Sequence, residues 1–245
     1  MTRHRRYLAA LGLAFTLITA GLTLGSPLPA RANDLCAYED RTPPAITGFG
    51  PTTVTLGLKA EPVQFSVQAQ DECGISGWSI DTPERFLFFV YQESPSDTVV
   101  PFRNKDAGLT AADVRVSDQA YNVQKRRFTF QLLRQTRWQT TNAGPEPVDK
   151  GARVTVRGTL QRADWIKKKY VRYGGTKQKA TVQFKARGSN DWISVKTVEF
   201  ASTGRLSTQV TVKREVARDG WYRLHFAGTA NSSPSASAPD YVDVR

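Results

Sequence analysis

The sequence predicts an all-β chain with two tandem β-sandwich domains after a signal peptide. Apolar residues recur at every second position in many short runs, clusters of Gly or Pro separate these runs, and helical periodicity is nearly absent. Successive side chains of a strand point to opposite faces, so alternating runs divided by turns indicate antiparallel strands. Six or seven such runs per hundred residues are typical of an immunoglobulin-like sandwich.

The first half contains predicted strands of two kinds. Residues 63–70 alternate between apolar and polar side chains, which predicts a strand with one face in water. The apolar run 86–91 (FLFFVY) is continuous and short, which predicts a strand buried on both faces. Only residues 109–114 (LTAADV) have a composition that favours a turn of helix.

Alternation is clearer in the second half. It recurs over residues 182–186, 221–226 and 242–244, and arginines alternate with Val154 and Val156. Glycine-containing turns lie between most of these runs, so the second half is predicted to be a sandwich with its own set of strands.

The domain boundary is expected within residues 139–151 (QTTNAGPEPVDKG), where small polar residues and two prolines interrupt the apolar pattern. The prolines predict an extended and fairly stiff connector. The predicted divisions are a signal peptide at 1–32, one immunoglobulin-like domain at 33–142 and a second, basic one at 143–245.

The N-terminus has the pattern of a secretory signal. Three arginines precede an apolar run at 8–24, and Ala30-Arg31-Ala32 provides a small-x-small cleavage site before Asn33. The expected location is therefore outside the membrane, either secreted or associated with the cell wall. An uncleaved anchor is the alternative, and the export route, general secretory or twin-arginine, stays open.

Two cysteines follow the signal segment, Cys36 and Cys73. In an oxidising compartment a disulfide between them is the expected state. A metal-bound or reactive thiol pair is the alternative, but the sequence places no histidine near either cysteine.

The positive charge is concentrated in the second half. Residues 33–142 contain 11 Lys or Arg against 13 Asp or Glu, whereas residues 143–245 contain 19 against 9. The full chain has a formal net charge of +12. An electrostatic partner is therefore expected to contact the second domain.

No catalytic constellation is evident, and the chain is predicted not to be an enzyme. After the signal segment the only histidine is His225, within an alternating strand, and no nucleophile elbow or zinc-binding motif occurs. No cofactor is expected. Five oxygen donors near predicted strand ends could bind calcium, but no loop gathers them as calcium requires, and no metal ligand is assigned. These donors are Asp71, Asp81, Asp113, Asp118 and Asn122.

The segment 165–179 (WIKKKYVRYGGTKQK) is the candidate polyanion-binding site. It combines six basic residues and three aromatic residues with no acid, and its Gly-Gly pair predicts an exposed loop or hairpin. The charges are expected to form one electrostatic contact, to which the aromatic rings add apolar or stacking area. The candidate residues are Lys167, Lys168, Lys169, Arg172, Lys177, Lys179, Trp165, Tyr170 and Tyr173.

Exposed tryptophans could instead supply a carbohydrate-binding platform. Trp165 and Trp192 lie near predicted turns, where exposure is expected, whereas Trp78 and Trp221 have the pattern of core residues. Aromatic residues of a sandwich belong to the core more often than to a binding face.

Three stretches of the second half carry a resemblance to a known group of proteins. They are 145–165 (PEPVDKGARVTVRGTLQRADW), 178–198 (QKATVQFKARGSNDWISVKTV) and 219–229 (DGWYRLHFAGT), followed by the terminal DYVDVR. They resemble the repeated C-terminal module of small secreted proteins from high-GC Gram-positive bacteria. The first half resembles bacterial immunoglobulin-like domains through TPPAIT, AQDECGIS and VSDQAYN, with Cys73 and Tyr121 departing from the pattern.

This resemblance implies export and immunoglobulin-like architecture, and some members carry a calcium-binding label. Together with the charge distribution it predicts a secreted, non-catalytic protein of the cell envelope that acts as a weak polyanion-binding or structural module. Expected partners are anionic wall polymers, polysaccharides or, without sequence specificity, nucleic acid. A carbohydrate- or calcium-binding adhesion module is the alternative, and the oligomeric state stays open.

Overall fold

The computed structural model describes Cys36 and residues 40–82, 85–89, 96–101, 103–173, 178–200, 203–211 and 218–245. The predicted signal peptide and Lys177 lie outside the described residues. Within the described ranges, no helix has the length and apolar character needed to cross a membrane. Cys36 and Cys73 form a disulfide with their Cα atoms 5.3 Å apart, which confirms the predicted pairing.

Within its described residues the first domain has nine strands. They are β1 (Ala45–Gly50), β2 (Thr53–Leu56), β3 (Glu61–Gln64), β4 (Ser66–Gln70), β5 (Ile75–Thr82), β6 (Arg85–Phe89), β7 (Ser96–Val99), β8 (Gly108–Asp118) and β9 (Val123–Arg134). The main sheet has the order β2-β9-β8-β5-β6, with β2 parallel to β9, and the pairs β1-β4 and β3-β7 complete the layer opposite. A single 3₁₀ turn, Asn104–Asp106, precedes β8.

The expected turn of helix at 109–114 is wrong, because these residues lie in β8. Their side chains follow the period of a strand: Ala112, Val114 and Val116 are buried at alternate positions. These three pack with Leu56, Ile80 and a cluster of phenylalanines in the first core. Burial at every second residue therefore overrides the helix propensity of the two alanines.

The second domain is a sandwich of two sheets. Its strands are β10 (Thr136–Gly144), β11 (Arg153–Asp164), β12 (Lys169–Arg172), β13 (Lys179–Ala186), β14 (Ile193–Glu199), β15 (Arg205–Thr211), β16 (Gly220–Phe226), β17 (Ser235–Ala236) and β18 (Asp240–Val242). One sheet pairs β11 with β10, β12 and β15; the other has the order β14-β13-β16, with β17 and β18 both paired to β16. The two inner faces meet in a separate core around Val156, Leu160, Val182 and Leu224. The all-β, immunoglobulin-like sandwich fold is thus confirmed.

The boundary expected within residues 139–151 is wrong. Thr136–Gly144 forms β10, which pairs with β11 along its whole length, so these residues belong to the second domain. The chain passes between the domains at Gln135, directly from β9 into β10. The backbone N–H of Gln135 donates to Leu56 (2.9 Å), and its carbonyl accepts from the N–H of Ala163 (2.8 Å). One residue therefore joins sheets of both domains, and no free linker separates them.

The two domains also share a core. Ala163 and Trp165, at the end of β11, are buried in the apolar cluster of the first domain. Trp165 is only 3% exposed. Beside it, Arg134 is 5% exposed and donates from Nε to the carbonyl of Ala163 (2.7 Å). Burial and the nearby charge of Arg162 lower the pKa of Arg134 to about 10. A side chain of the second domain thus completes the packing of the first.

We expect Trp165→Ala to destabilise the whole chain, because it would leave a cavity in the first core and detach the second domain. The expected loss is about 3–5 kcal/mol for a buried tryptophan, which corresponds to a fall in Tm of about 6 °C or more. The neighbouring change Ile166→Ala is the control, since Ile166 is 66% exposed. Thermal melts followed by circular dichroism would check both, and equal Tm values for the two variants would contradict the shared core.

Candidate functional site

The predicted basic segment is a β-hairpin at the junction between the domains. Strands β11 and β12 pair from Gln161 opposite Arg172 to Asp164 opposite Lys169, and the turn between them contains Lys167 and Lys168. Lys167, Lys168 and Lys169 are all exposed. Lys168 has a φ of 49°, in the left-handed region that such a tight turn requires. We call residues 166–169 with Arg172 the basic hairpin.

Asp164 anchors the turn of the basic hairpin. Its Oδ1 accepts from the backbone N–H of Lys167 (2.9 Å) and from Nδ2 of Asn104 (3.0 Å). Asn104 in turn accepts from the N–H of Trp165 (2.9 Å). Burial raises the pKa of Asp164, but these two hydrogen bonds and the charges of Arg134 and Lys167 outweigh it, so the pKa lies below its usual range. The carboxylate therefore stays ionised and holds the lysine turn against the first domain.

The aromatic residues of the segment do not provide the expected stacking surface. Trp165 lies in the first core, and Tyr173, 7% exposed, lies in the second core, where its ring packs edge-on against Phe226. Both expectations are wrong: Tyr173 follows the inward face of its strand opposite Leu160, and Trp165 sits in the turn where the first domain packs against it. Tyr170 is half-buried; the guanidinium of Arg137 lies 3.8 Å from its ring centroid, and its hydroxyl donates to Gln135.

Of the remaining lysines of the predicted site, the described one, Lys179, lies apart from the hairpin. Lys179 begins β13 in the opposite sheet, where its Nζ lies 3.8 Å from Glu199. Lys177 is outside the described residues. Of the nine predicted residues, the structure therefore places Lys167, Lys168 and Lys169 together in one exposed turn, with Arg172 farther along β12 opposite Gln161.

A larger basic surface adjoins this group, and the sequence reading missed it. On β11, Val154, Val156 and Leu160 face the core, so the residues between them face outward. Outward positions of β11 and its neighbours carry five exposed arginines, which we call the arginine face: Arg137, Arg153, Arg157, Arg172 and Arg205. In the sequence, the alternation of arginine with Val154 and Val156 was the pattern that could have predicted the arginine face.

Polar side chains fill the space between the arginines. Gln161 accepts from Nε of Arg137 (3.0 Å) and donates to Gln139 (3.0 Å), in a row that continues to Arg172 by strand register. The next row pairs Thr159 with Arg205. These contacts hold the head group of Arg137 on the face and leave its other donors available.

The arginine face has no acidic counterpart among its strands. In β10, β11, β12 and β15 as described, the only acidic residue is Asp164, which is buried at the end of β11. Like charges within about 8–10 Å of one another repel at physiological salt. An anion bound to this face would relieve that repulsion.

The candidate calcium ligands are not gathered into one site. Asp113 forms a two-point ion pair with Arg127 (2.6 and 2.8 Å), which lowers the pKa of Asp113. Asp118 accepts from the N–H of Asn122 (2.8 Å) within its own turn. Among the described residues, one group has metal-ligand spacing: Asp40, Asp71 and the sulfur of Cys73. That sulfur belongs to the disulfide, and two carboxylates fall short of the six to eight oxygens that calcium takes.

The tryptophans are distributed differently from the prediction. Trp78 packs at the edge of the first core, as expected. Trp221, expected in the core, lies instead on the outward side of β16, because its neighbours Gly220 and Tyr222 take the buried positions. His225 occupies an outward position on the same strand.

Comparisons with known proteins assign no family. No protein-family model matches the chain, and no curated protein matches it. Among solved structures, it is similar to latent PorU from Porphyromonas gingivalis (14% identity, TM-score 0.33), covering 89% of this chain but only 21% of PorU. It is also similar to fibronectin(III)-like modules of CbhA from Clostridium thermocellum (8% identity, TM-score 0.42), a match that covers 82% of this chain and 92% of that one. A third similar structure is murine CEACAM1b (14% identity, TM-score 0.36), a match that covers 82% of this chain and 100% of that one.

These likenesses carry no argument about function, since the identities are low and the superpositions are loose. The resemblance to secreted proteins of high-GC Gram-positive bacteria stays a prediction.

We expect Asp164→Asn to destabilise the chain at pH 7 by about 1–3 kcal/mol, the range for hydrogen bonds to a charged group. Because folding lowers the pKa of Asp164, its contribution is complete above the unfolded pKa of about 3.9 and is lost as the pH falls through the folded value. The stability gap between parent and variant should therefore narrow on acidification from pH 6 to pH 3. Urea melts across this range would measure it, with the exposed Asp149→Asn as control; a gap independent of pH would contradict the assignment.

Proposed function

We propose that this chain is an exported, non-catalytic module that binds linear polyanions on the second domain. The single observation that carries the proposal is the arginine face, which continues into the basic hairpin without an intervening acid among the described residues. A disulfide and immunoglobulin-like domains support an extracellular setting.

The shape of the surface favours an extended ligand. From Gln161 to Arg153 the strand β11 spans eight residues, or about 26 Å at roughly 3.3 Å per residue. Arginines lie near both ends and in the middle of this length, on β10, β11, β12 and β15. A flexible chain with regularly spaced negative groups can contact several of them at once.

The chemistry favours binding by charge and not by sequence. The guanidinium group binds phosphate and carboxylate with two parallel hydrogen bonds, which lysine cannot match. The arginines lie on four β-strands of one sheet, and no recognition helix adjoins them among the described residues. We therefore expect a salt-dependent contact of modest affinity, for which a wall polymer of phosphodiesters or an acidic polysaccharide is the appropriate partner and nucleic acid a nonspecific one.

The first domain sets the orientation of the basic surface. Its slight excess of acid keeps polyanions off that half of the molecule. Because Trp165 and Asp164 fix the basic hairpin against this domain, the hairpin and Arg172 remain at a constant position along the arginine face. The first domain thus acts as a scaffold for the binding surface.

We expect the triple variant Arg157→Gln, Arg172→Gln, Arg205→Gln to bind a single-stranded oligonucleotide and a glycerol-phosphate polymer about tenfold or more weakly at physiological salt. Its plot of log affinity against log salt should be flatter by about two units, since each lost contact removes roughly 0.7. Fluorescence anisotropy between low and physiological salt would measure both quantities. The Tm should stay within a few degrees of the parent value, because all three side chains are exposed.

The matched control removes three exposed charges from the first domain: Lys59→Gln, Arg115→Gln, Lys125→Gln. Equal weakening by both triple variants would show that net charge alone governs binding. A further variant, Lys167→Gln, Lys168→Gln, Lys169→Gln, measures the share of the basic hairpin. Parent-like binding by the arginine variant would reject the arginine face as the site.

A further inference from the structure

The outer surface of the other sheet carries a row of aromatic and basic side chains. Register places Lys185 of β13 beside Trp221 of β16, and Trp221 beside Tyr241 of β18. Trp192 immediately precedes β14, whose first residue pairs with Phe184, so Trp192 lies on the other side of Lys185. The row crosses four neighbouring segments, and each of its members is partly exposed.

Cations and rings alternate along this row. Nζ of Lys185 lies 5.3 Å from the ring centroid of Trp192 and 5.0 Å from that of Trp221. Trp221 and Tyr241 meet edge to face at 5.3 Å. The guanidinium of Arg223 lies 4.0 Å over Trp192. We call Trp192, Lys185, Trp221, Tyr241 and Arg223 the aromatic platform.

The aromatic platform is not part of the core. Tyr222 and Leu224 alternate with Trp221 and Arg223 on β16 and face inward, where they are buried. Each ring–cation contact is worth about 0.5–1 kcal/mol at exposed sites. The contacts therefore restrict Lys185 and the tryptophans to a defined arrangement on the outside of the sheet, where the rings remain partly in contact with water.

The cations of the platform retain binding capacity. Gln183 accepts from Nε of Arg223 (2.8 Å), which fixes the guanidinium but uses one of its five donors. Burial lowers the pKa of Arg223. The acids at the margins have their own cations: Glu199 lies beside Lys179 (3.8 Å) and Asp219 beside Arg187 (3.6 Å). The platform is a partly dehydrated surface with two positive charges, and Asp219, which accepts a hydrogen bond from the Tyr241 hydroxyl, is paired with Arg187.

We propose that the aromatic platform is a binding site for an acidic polysaccharide. The apolar faces of the sugar rings pack on the tryptophans, and the carboxylates bind Arg223 and Lys185. Trp192 and Trp221 are two strand spacings apart, about 10 Å, so a single extended chain reaches both rings with alternate sugars. Arginine binds a carboxylate through paired hydrogen bonds.

This site is separate from the arginine face. The two surfaces lie on opposite outer sides of one sandwich, and they differ in composition: the arginine face presents charge among polar side chains, whereas the platform combines two charges with three aromatic rings. Binding at the platform should therefore depend only partly on salt, because ring packing adds an uncharged contribution that counterions do not screen.

The test uses the full chain carrying Arg157→Gln, Arg172→Gln and Arg205→Gln, so that the arginine face does not contribute, and three probes of eight units: an oligohexuronate, a neutral oligohexose and oligo-dT. Calorimetry and tryptophan fluorescence measure affinity at several salt concentrations. The proposal expects the oligohexuronate to bind at least about tenfold more tightly than the neutral oligosaccharide. Trp221→Ala should weaken this binding roughly tenfold while leaving the salt slope unchanged, and Arg223→Gln should weaken it and flatten the slope by about one unit.

Trp192→Ala is the second variant, because it lies outside the paired strands and tests the site if Trp221→Ala does not fold. Lys125→Gln, an exposed change on the first domain, is the control and should leave oligohexuronate binding unchanged. Parent-like affinity of Trp192→Ala and Arg223→Gln would overturn the proposal. Equal binding of the neutral oligosaccharide, or binding of oligo-dT alone, would overturn it as well, in favour of an uncharged glycan or of nucleic acid. These outcomes do not test the arginine face, which is tested by its own triple variant under the proposed function.

Discussion

The burial of Trp165 in the first core is the contact on which the arrangement of the molecule depends. Trp165 directly follows β11 of the second domain, and its side chain packs among apolar residues of the first domain. The buried Asp164, held by Asn104, fixes the turn that follows. Without this contact the basic hairpin would keep its pairing between β11 and β12 but lose the anchor that Trp165 provides on the first domain.

The junction also explains why the sequence could predict the strands and not their assignment to domains. Period-two alternation identified several strands of the second sandwich but few of the first, because it marks only strands with one face in a core and the other in water. The boundary was misplaced because the Pro-rich segment that follows β10 is the more conspicuous break. The true crossing is one ordinary residue, Gln135, with no compositional mark.

For the candidate sites, the sequence predicted which charged residues are exposed but not which way the aromatic side chains point. The exposure of Lys167, Lys168 and Lys169 followed from their charge, since three ammonium groups cannot be buried together. The inward orientation of the Trp165 and Tyr173 side chains could not be predicted, because an aromatic residue within a basic segment suits either a surface or a core. The arginine face and the aromatic platform needed strand register, which brings together residues far apart in sequence, such as Arg157 with Arg205 and Lys185 with Trp221.

The two proposed binding surfaces lie on opposite sides of one domain. One offers arginines in a polar surround and the other offers rings with two cations, so under both proposals a polymer that combines sugars and negative charge would have two distinct places to bind. A network of such polymers could be bridged by a single copy of the chain. Cross-linking of this kind requires the sandwich to be rigid, which its continuous core provides.

The sharing of Trp165 has a consequence for the order in which the chain can fold. A polypeptide emerges from the ribosome N-terminus first, and domains generally fold in that order. Here the first domain lacks part of its interior until about 30 further residues beyond Gln135 have been made. Nascent chains that stop before Trp165 would expose the gap that this ring fills. The first domain therefore cannot complete its core before part of the second domain is synthesised, and the two domains fold as one cooperative unit.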